Sequence, residues 1–381
     1  MTLTRRLFDE NHQIFRESFR NFLAKEVVPH QTAWEAAGIV DKSAWKKCGD
    51  NGFLVPCAPE EYGGLGLDDF RYEAIMMEEL AYVHETGLML GLHSSVIAPY
   101  ILNYANEEQK MRWVPGIVSG EAILAVAMTE PGAGSDLAGI KTTAVDQGDY
   151  WLLNGSKTFI SNGINSSLVI VVARTSTEQS HQLGLFVVEG NPEGFERGAP
   201  LKKIGLKSQD TAELFFNNVK VPKENILGHP KSAFNYLLAQ LPVERLTLCI
   251  AAVAAAEAAL KLTVEYVQQR KAFGKSISKF QNTKFKLAEM RTEIDMGRVY
   301  VDRLIEAHMA KELTADVACG AKYWTTDLLC RVADECLQLH GGYGYMEEYP
   351  ISKIYTDARI TKIYAGTNEI MKVVVAQAMG L

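Results

Sequence analysis

The chain has 381 residues, 47% hydrophobic and 22% charged, enough for two or three domains and a large buried core. Its net charge of −7 carries no long run of one sign, so nothing points to nucleic acid or a membrane surface as partner. The opening MTLTRRLFDENHQ lacks an apolar signal core and is too acidic for a transit peptide, and no uncharged apolar run is long enough to span a bilayer. Six cysteines without CxxC spacing read as free, mostly buried thiols in a reducing compartment. Singly scattered histidines argue against a metal site.

Periodicity divides the chain into three regions. In residues 1–120, FRESFRNFLAKEVVPH and YEAIMMEELAYV repeat apolar residues at three- and four-residue spacing and predict an N-terminal α-helical domain, broken by PEEYGGLGL. Residues 121–228 hold short β-branched runs, AILAVAMTE, LVIVVARTS, GLFVVEG and AELFFNNVKV, bounded by Gly, Pro or Asn. They predict a compact antiparallel β domain, with Asn154-Gly155 as a hairpin turn. Residues 229–381 return to long helices, and Pro242 fits the first position of one of them. The fold class is α+β, in the order α, β, α.

Five stretches can carry chemistry. AMTEPGAGSD (127–136) is a Gly-rich turn after a strand, open to an anion or a flat ring, or simply a tight turn. LPVERLTL (241–248) puts Glu244 at N3 if Pro242 is N1, where its charge complements the helix dipole. Against that, Leu241 gives no capping box, and Glu244 lies above Leu248, Ala251 and Ala255, a small apolar face that implies burial. A carboxylate there has its pKa raised, which suits a general base. QQRKAFGKSISKFQ (268–281) is a basic helix end that can meet the dipole or a pyrophosphate. QLHGGYGYMEEYP (338–350) reads as a glycine C-cap or as room for a phosphate or ribose. IYAGTNEI (363–370) reads as a helix N-terminus, capped in the ordinary way or binding an oxyanion.

Taken in order, PEEYGG, MTEPGAGSD, NGSKTFISNG, QRKAFGKSISKFQ, QLHGGYGY and YAGTNEI resemble the acyl-CoA dehydrogenase family across nearly the whole chain. The resemblance implies a middle β-barrel-like domain, a C-terminal four-helix bundle, bound FAD and a homotetramer built as a dimer of dimers. By motif position, Met128 and Thr129 would contact the flavin ring, with Gly134 and Ser135 near the FAD phosphates and the CoA chain. Phe159 stands where many relatives carry Trp, and Ser161 where Thr is common, beside flavin N5. Arg270 and Phe273 would meet the pyrophosphate and adenine side. Gln281, Gln338, Gly341 and Gly342 would hold the cofactor across a subunit boundary, completed by Thr367 and Glu369. Substrate contacts would fall to Ser135, Arg245, Ala365 and Gly366.

One departure matters most. Many relatives carry the catalytic glutamate immediately before Gly-Thr of the last motif, where this chain has Ala365. Long-chain and isovaleryl-type members place it on the helix bearing ERL, and here that residue is Glu244. The resemblance then implies that Glu244 takes the α proton of an acyl-CoA thioester while the β hydrogen leaves as hydride, giving a trans-2-enoyl-CoA. The growing charge on the carbonyl oxygen would be held by the Ala365 N–H and a ribityl hydroxyl. Electrons would pass to an electron-transfer flavoprotein. Gly87 and Gly91 in ETGLMLGLHSS could leave room for a medium-to-long straight chain, or serve helix packing alone. A branched-chain dehydrogenase, an acyl-CoA oxidase and a non-redox acyl-CoA lyase remain alternatives. The expected setting is a bacterial cytoplasm, ahead of a processed mitochondrial matrix protein.

Overall fold

The structure, a computed structural model, describes residues 4–176 and 182–381. Helices α1 (Glu10–Phe22), α2 (Gln31–Ala37), α3 (Lys42–Asp50), α4 (Phe70–Tyr82), α5 (Ala98–Tyr104) and α6 (Glu107–Ser119) form the N-terminal part. Their ends follow local chemistry. Asp9 and His12 make a reciprocal capping box on α1, Asn106 and Gln109 another on α6, and Gly120 closes α6 in the left-handed conformation. PEEYGGLGL forms a single 3₁₀ turn, Glu60–Tyr62, ended by Gly63 at φ 88°.

The middle part holds β1 (Leu124–Ala127), β2 (Thr143–Asp146), β3 (Tyr150–Ser161), β4 (Leu168–Arg174), β5 (Leu183–Glu189), β6 (Phe195–Arg197), β7 (Thr211–Pro222) and β8 (Ile226–Leu227). One sheet runs β6-β7-β3-β2-β4-β5-β8, with β1 beside β4. It is antiparallel along most of its width, but β1 lies parallel to β4, Leu124 opposite Leu168, and β2 touches β4 in parallel at Thr143 and Arg174. β4 is buried on both faces, which is why LVIVVA shows no polar alternation. Leu168, Ile170 and Val172 join a core shared with α5, α6 and the following helix, while Val169, Val171 and Ala173 pack under Trp151 and Phe186.

Asn154-Gly155 is not a turn. β3 runs through it, and the β2–β3 turn lies upstream, closed by Gln147 N–H donating to the Tyr150 carbonyl at 3.0 Å, with Gly148 at φ 88°. Asn154 and Gly155 sit instead where the β3–β7 register shifts. A Cβ at Gly155 would come 2.4 Å from Thr142 Oγ1, so the glycine serves a close approach rather than a reversal.

Helices α7 (Ala233–Gln269), α8 (Gln281–Met309), α9 (Ala315–His340), α10 (Pro350–Ala358) and α11 (Asn368–Ala378) complete the chain, with a small hairpin of β9 (Lys271–Ala272) and β10 (Lys275–Ser276) after α7. α7 packs on α8 and α9, and α11 on α9, giving the expected bundle. Pro242 does not begin a helix. α7 starts at Ala233, so Pro242 is interior and leaves the Leu238 carbonyl without its usual donor. Glu244 therefore stands about three turns inside the helix, beyond reach of the N-terminal dipole charge. Among the described residues α7 alone is long and apolar enough to cross a membrane, but 61% of that stretch is buried within the protein, against α4, α8 and α9.

A charged cluster ties the N-terminal helices to this bundle. Fully buried Glu78 of α4 accepts from Arg5 at 2.7 Å, Arg16 of α1 at 2.9 Å and Arg298 of α8 at 2.8 Å. Burial alone would raise its pKa; Arg298 and Arg5 outweigh this and hold it at about 2.

Candidate active site

A cavity of about 310 Å³ lies between α4, α7 and α10. At one end it is lined by Glu244 of α7, Ser161 at the end of β3, and Ala365 just before α11. Three distant parts of the chain thus place a carboxylate, a hydroxyl and a backbone turn at one mouth. From there the cavity follows the α7 face of Thr247, Leu248, Ala251, Ala252 and Ala255, opposite Met77, Leu80 and Ala81 of α4. At ~1.5 Å per residue, Glu244 to Ala255 spans roughly 16 Å.

Gly91 lines this cavity, with Met77 at 3.4 Å from its would-be Cβ. Gly87 does not. Its Cβ would meet Ser208 Oγ at 2.5 Å and the Ser208 carbonyl at 2.7 Å, so Gly87 answers to packing and leaves no space for a ligand. Polar groups join the wall beyond α4: His84, Thr86 and Asp357. Burial lowers the His84 imidazole to about 4 and raises the Asp357 carboxyl to about 6, although Leu206 N–H and Thr86 Oγ1 both donate to the latter.

Glu244 is half-buried and lines the cavity. Burial raises its pKa, with Arg245 and Lys322 pulling the other way. Arg245 is buried, donates from Nη1 to Cys319 Sγ at 3.2 Å, and has no partner for Nε. Lys322 of α9 is fully buried and fastens the adjoining turn, donating to the Gly366 carbonyl at 2.8 Å and Asn368 Oδ1 at 3.0 Å. Burial brings its pKa down to about 8. The turn needs such a fastener: Ala365 has φ 54° and Gly366 φ 88°. The Ala365 N–H meets no acceptor within the described protein, while Thr367 caps α11 by accepting from Ile370 N–H at 3.4 Å. Glu369 is exposed in the first turn, with its pKa lowered by its own backbone amide and the Thr367 hydroxyl.

The AMTEPGAGSD stretch is pinned from beneath. Glu130 accepts from Lys157 Nζ at 2.8 Å and from the amides of Lys141 and Thr142, and Lys157 also donates to the Met128 carbonyl at 2.9 Å. The Thr129 carbonyl accepts from Thr158 N–H at 2.9 Å. Gly134 and Ser135 are exposed, and no protein atom lies within 4 Å of a Cβ placed at Gly134. Phe159, next to Thr158, holds φ 58° and is 69% exposed.

A second surface lies at the far end of α7. Arg270, Gln338, Gly341 and Gly342 line one shallow cleft, with the Arg270 guanidinium 5.2 Å from the Tyr343 ring. A Cβ at Gly341 or Gly342 would meet nothing within 4 Å. Phe273, at the tip of the β9–β10 hairpin, has φ 50° and is 93% exposed, and Gln281 is exposed at the start of α8. Arg245, beside Gly366, and Arg270 are roughly 38 Å apart along α7. Within one protomer the Thr367–Glu369 turn and the Arg270 cleft cannot touch the same small molecule.

Sequence reasoning missed Lys322 and Asn368. Lys322 had a signal: a lone lysine in the buried, mostly apolar stripe Ala318, Ala321, Thr325, Leu328 of α9.

The donor set fits a flavin dinucleotide. Exposed aromatic rings in strained left-handed backbone, open glycines and an arginine cleft are what a flat ring and a pyrophosphate require of their surroundings. The comparisons agree. The chain matches the acyl-CoA dehydrogenase N-terminal domain over residues 9–121, the middle domain over 125–219 and the C-terminal domain over 233–380. It belongs to the acyl-CoA dehydrogenase family. It is a flavin-dependent oxidoreductase, with FAD as cofactor, that dehydrogenates fatty acyl-CoA. A mitochondrial long-chain specific acyl-CoA dehydrogenase of Sus scrofa is 48% identical over 98% of this chain and 87% of its own length. An acyl-CoA dehydrogenase from Geobacillus kaustophilus superposes with TM-score 0.97 at 51% identity, covering 99% of this chain and 100% of that one. A glutaryl-CoA dehydrogenase from Mycobacterium smegmatis, solved with FADH2, gives 0.92 at 27%, covering 99% and 96%.

Proposed function

We propose that this enzyme oxidises straight acyl-CoA chains of medium to long length, with Glu244 as the base that removes the α proton. The observation that carries the reading is the single cavity in which Glu244, Ser161 and Ala365 meet and from which an apolar trough runs along α7. An extended chain advances roughly 1.3 Å per carbon, given C–C bonds of about 1.5 Å. The trough of roughly 16 Å therefore takes about a dozen carbons. Ala251, Ala252 and Ala255 keep its far part free of bulky side chains on the α7 side, which suits a straight chain.

Glu244 stands at the head of this trough, where the reacting carbons of a chain lying along it would be. Its burial brings the base closer in pKa to the proton it must take. The Ala365 N–H, unclaimed by the protein, is available to the thioester oxygen as charge builds there. Arg245 and Lys322 supply positive field at the same end. Bound FAD would supply the acceptor for the β hydrogen and its two electrons. Met128, Thr129, Gly134, Ser135, Phe159 and Ser161 would hold its flavin and adjoining phosphates. Arg270, Phe273, Gln281, Gln338, Gly341, Gly342, Thr367 and Glu369 would hold the rest.

Because the last group is split between opposite ends of α7, two copies must share each cofactor. Exposed Phe285, Met296 and Val299 along α8 support further self-association, and we take the assembly as a dimer of dimers. Electron-transfer flavoprotein, the partner that fits the family, is the expected acceptor.

The test is anaerobic bleaching of the yellow holoenzyme by straight acyl-CoAs of increasing length, with Glu244→Gln in parallel. Wild type should bleach most fully at about ten to fourteen carbons, from the trough length, and Glu244→Gln should stay yellow. Bleaching of the variant at the wild-type rate would overturn the assignment of the base.

A further inference from the structure

We propose that the end of the cavity far from Glu244 is a polar subsite in which His84 and Asp357 hold a hydroxyl group carried at the far end of an acyl chain. The inference rests on the chain running along α7, and it adds a substrate class, the ω-hydroxyacyl-CoA, to that reading.

Two contacts fix where these groups stand. Tyr82, the last residue of α4, donates to Glu257 Oε2 at 2.6 Å, and Glu257 lies roughly 20 Å beyond Glu244 along α7. His84, just past Tyr82, lines the same cavity as Glu244. From α10, Ile354 and Ala358 share a core with Ala252 and Ala256 of α7, and Asp357 between them lines the cavity too. Both groups therefore stand at the distal end, where a chain of roughly twelve to fifteen carbons would finish. Thr86 joins them, its Oγ1 donating to Asp357 Oδ2 at 3.3 Å.

The turn does not call for a histidine. His84 follows α4 at φ 56°, in the left-handed position that ends a helix and that glycine fills at least cost. Among the described residues nothing hydrogen-bonds its imidazole, and the ring nitrogens stay accessible. Burial lowers the ring to about 4, so at working pH it is neutral and offers one N–H. Asp357 Oδ1 accepts from Leu206 N–H at 2.5 Å and Oδ2 from Thr86, which leaves a lone pair on each oxygen. A terminal methyl strips water from these groups and returns no hydrogen bond. A terminal hydroxyl donates to the Asp357 carboxylate and accepts from the His84 N–H. A terminal carboxylate meets the wrong charge. Lys353, the cation acting on both His84 and Asp357, is paired with Glu35 at 2.7 Å. Glu85, buried in the same wall, adds a second carboxyl and accepts from Gly87 N–H at 2.7 Å and Leu88 N–H at 3.0 Å.

The experiment follows anaerobic flavin bleaching of the holoenzyme by acyl-CoAs below saturation, at about pH 8, where Asp357 is ionised. Chains of eight, twelve and fourteen carbons carry a terminal methyl, hydroxyl or carboxylate. At eight carbons the hydroxyl is stranded in the apolar trough and should slow bleaching about tenfold against octanoyl-CoA. At twelve or fourteen it should match or exceed the methyl chain and outpace the carboxylate by about tenfold or more. His84→Gly, which suits φ 56°, should cut the hydroxyl-to-methyl ratio at that length about tenfold and leave octanoyl-CoA unchanged. A hydroxyl disfavoured at every length overturns the proposal. So does equal acceptance of hydroxyl and carboxylate, or an unchanged ratio in His84→Gly, either of which marks an end merely open to water. If no chain of twelve or fourteen carbons bleaches the flavin, the course along α7 is wrong and the subsite falls with it; if dodecanoyl-CoA bleaches it and the hydroxyl preference is missing, only the subsite is.

Discussion

Ala251→Leu should shorten the substrates this enzyme accepts. Ala251 lies on the cavity face of α7, and the lining continues past it through Ala252 and Ala255. That remaining length is roughly 6 Å at ~1.5 Å per residue, room for four or five methylenes. A leucine at 251 projects across the trough and closes it. Each excluded methylene forfeits about 0.8 kcal/mol of burial, so chains that need the distal half lose about 3 kcal/mol, roughly a hundredfold in kcat/KM. A chain of six carbons ends short of the block by the same measure and should keep its rate within about threefold. The assay is kcat/KM for a series of straight acyl-CoAs, with the Tm checked so that general overpacking is not mistaken for selectivity. An equal fall for short and long chains, with an unchanged Tm, would refute the course of the chain along α7.

Lys322→Met should lower stability by about 3 kcal/mol, because the Gly366 carbonyl and Asn368 Oδ1 lose their buried donor. Thermal unfolding with and without added FAD checks it, and an unchanged Tm sinks the view that Lys322 fastens the turn. Glu78→Gln should destabilise by about 3–5 kcal/mol, leaving Arg5, Arg16 and Arg298 without their shared anion. Since Glu78 is depressed to about 2 in the fold, its contribution is present above the ordinary carboxyl range and is lost as pH falls toward about 2. Urea midpoints at neutral and acid pH should therefore converge for wild type and variant, and a constant gap would count against the linkage. Phe159→Ala should leave the stability of the FAD-free protein nearly unchanged, as the ring is exposed in the single protomer, yet speed FAD loss on dilution. Equal retention of FAD would remove Phe159 from the cofactor site.

How much of this was legible beforehand differs by element. The α, β, α order followed from periodicity, since the change from helical spacing to short β-branched runs at about residue 121 reflects which faces must be buried. The capped start of α11 at Thr367 and the glycine end of α9 were readable because caps are local chemistry. Asn154-Gly155 and Pro242 misled for one reason. Both are turn or boundary signals by propensity, and both are overridden by partners far away in sequence: Thr142 and β7 around Gly155, and the packing of α7 against α4, α8 and α9. Gly87 and Gly91 looked alike, and only their neighbours, Ser208 and Met77, told them apart.

The sequence by itself determined the family, through motifs whose order and residue types are tied to one cofactor chemistry, and with Ala365 it moved the search for the base to Glu244. It could not say that Glu244, Ser161 and Ala365 share a cavity, or that Lys322 ties the adjoining turn. Those facts arise where α7, α9 and the end of β3 converge, and convergence is a property of packing between segments far apart in the chain.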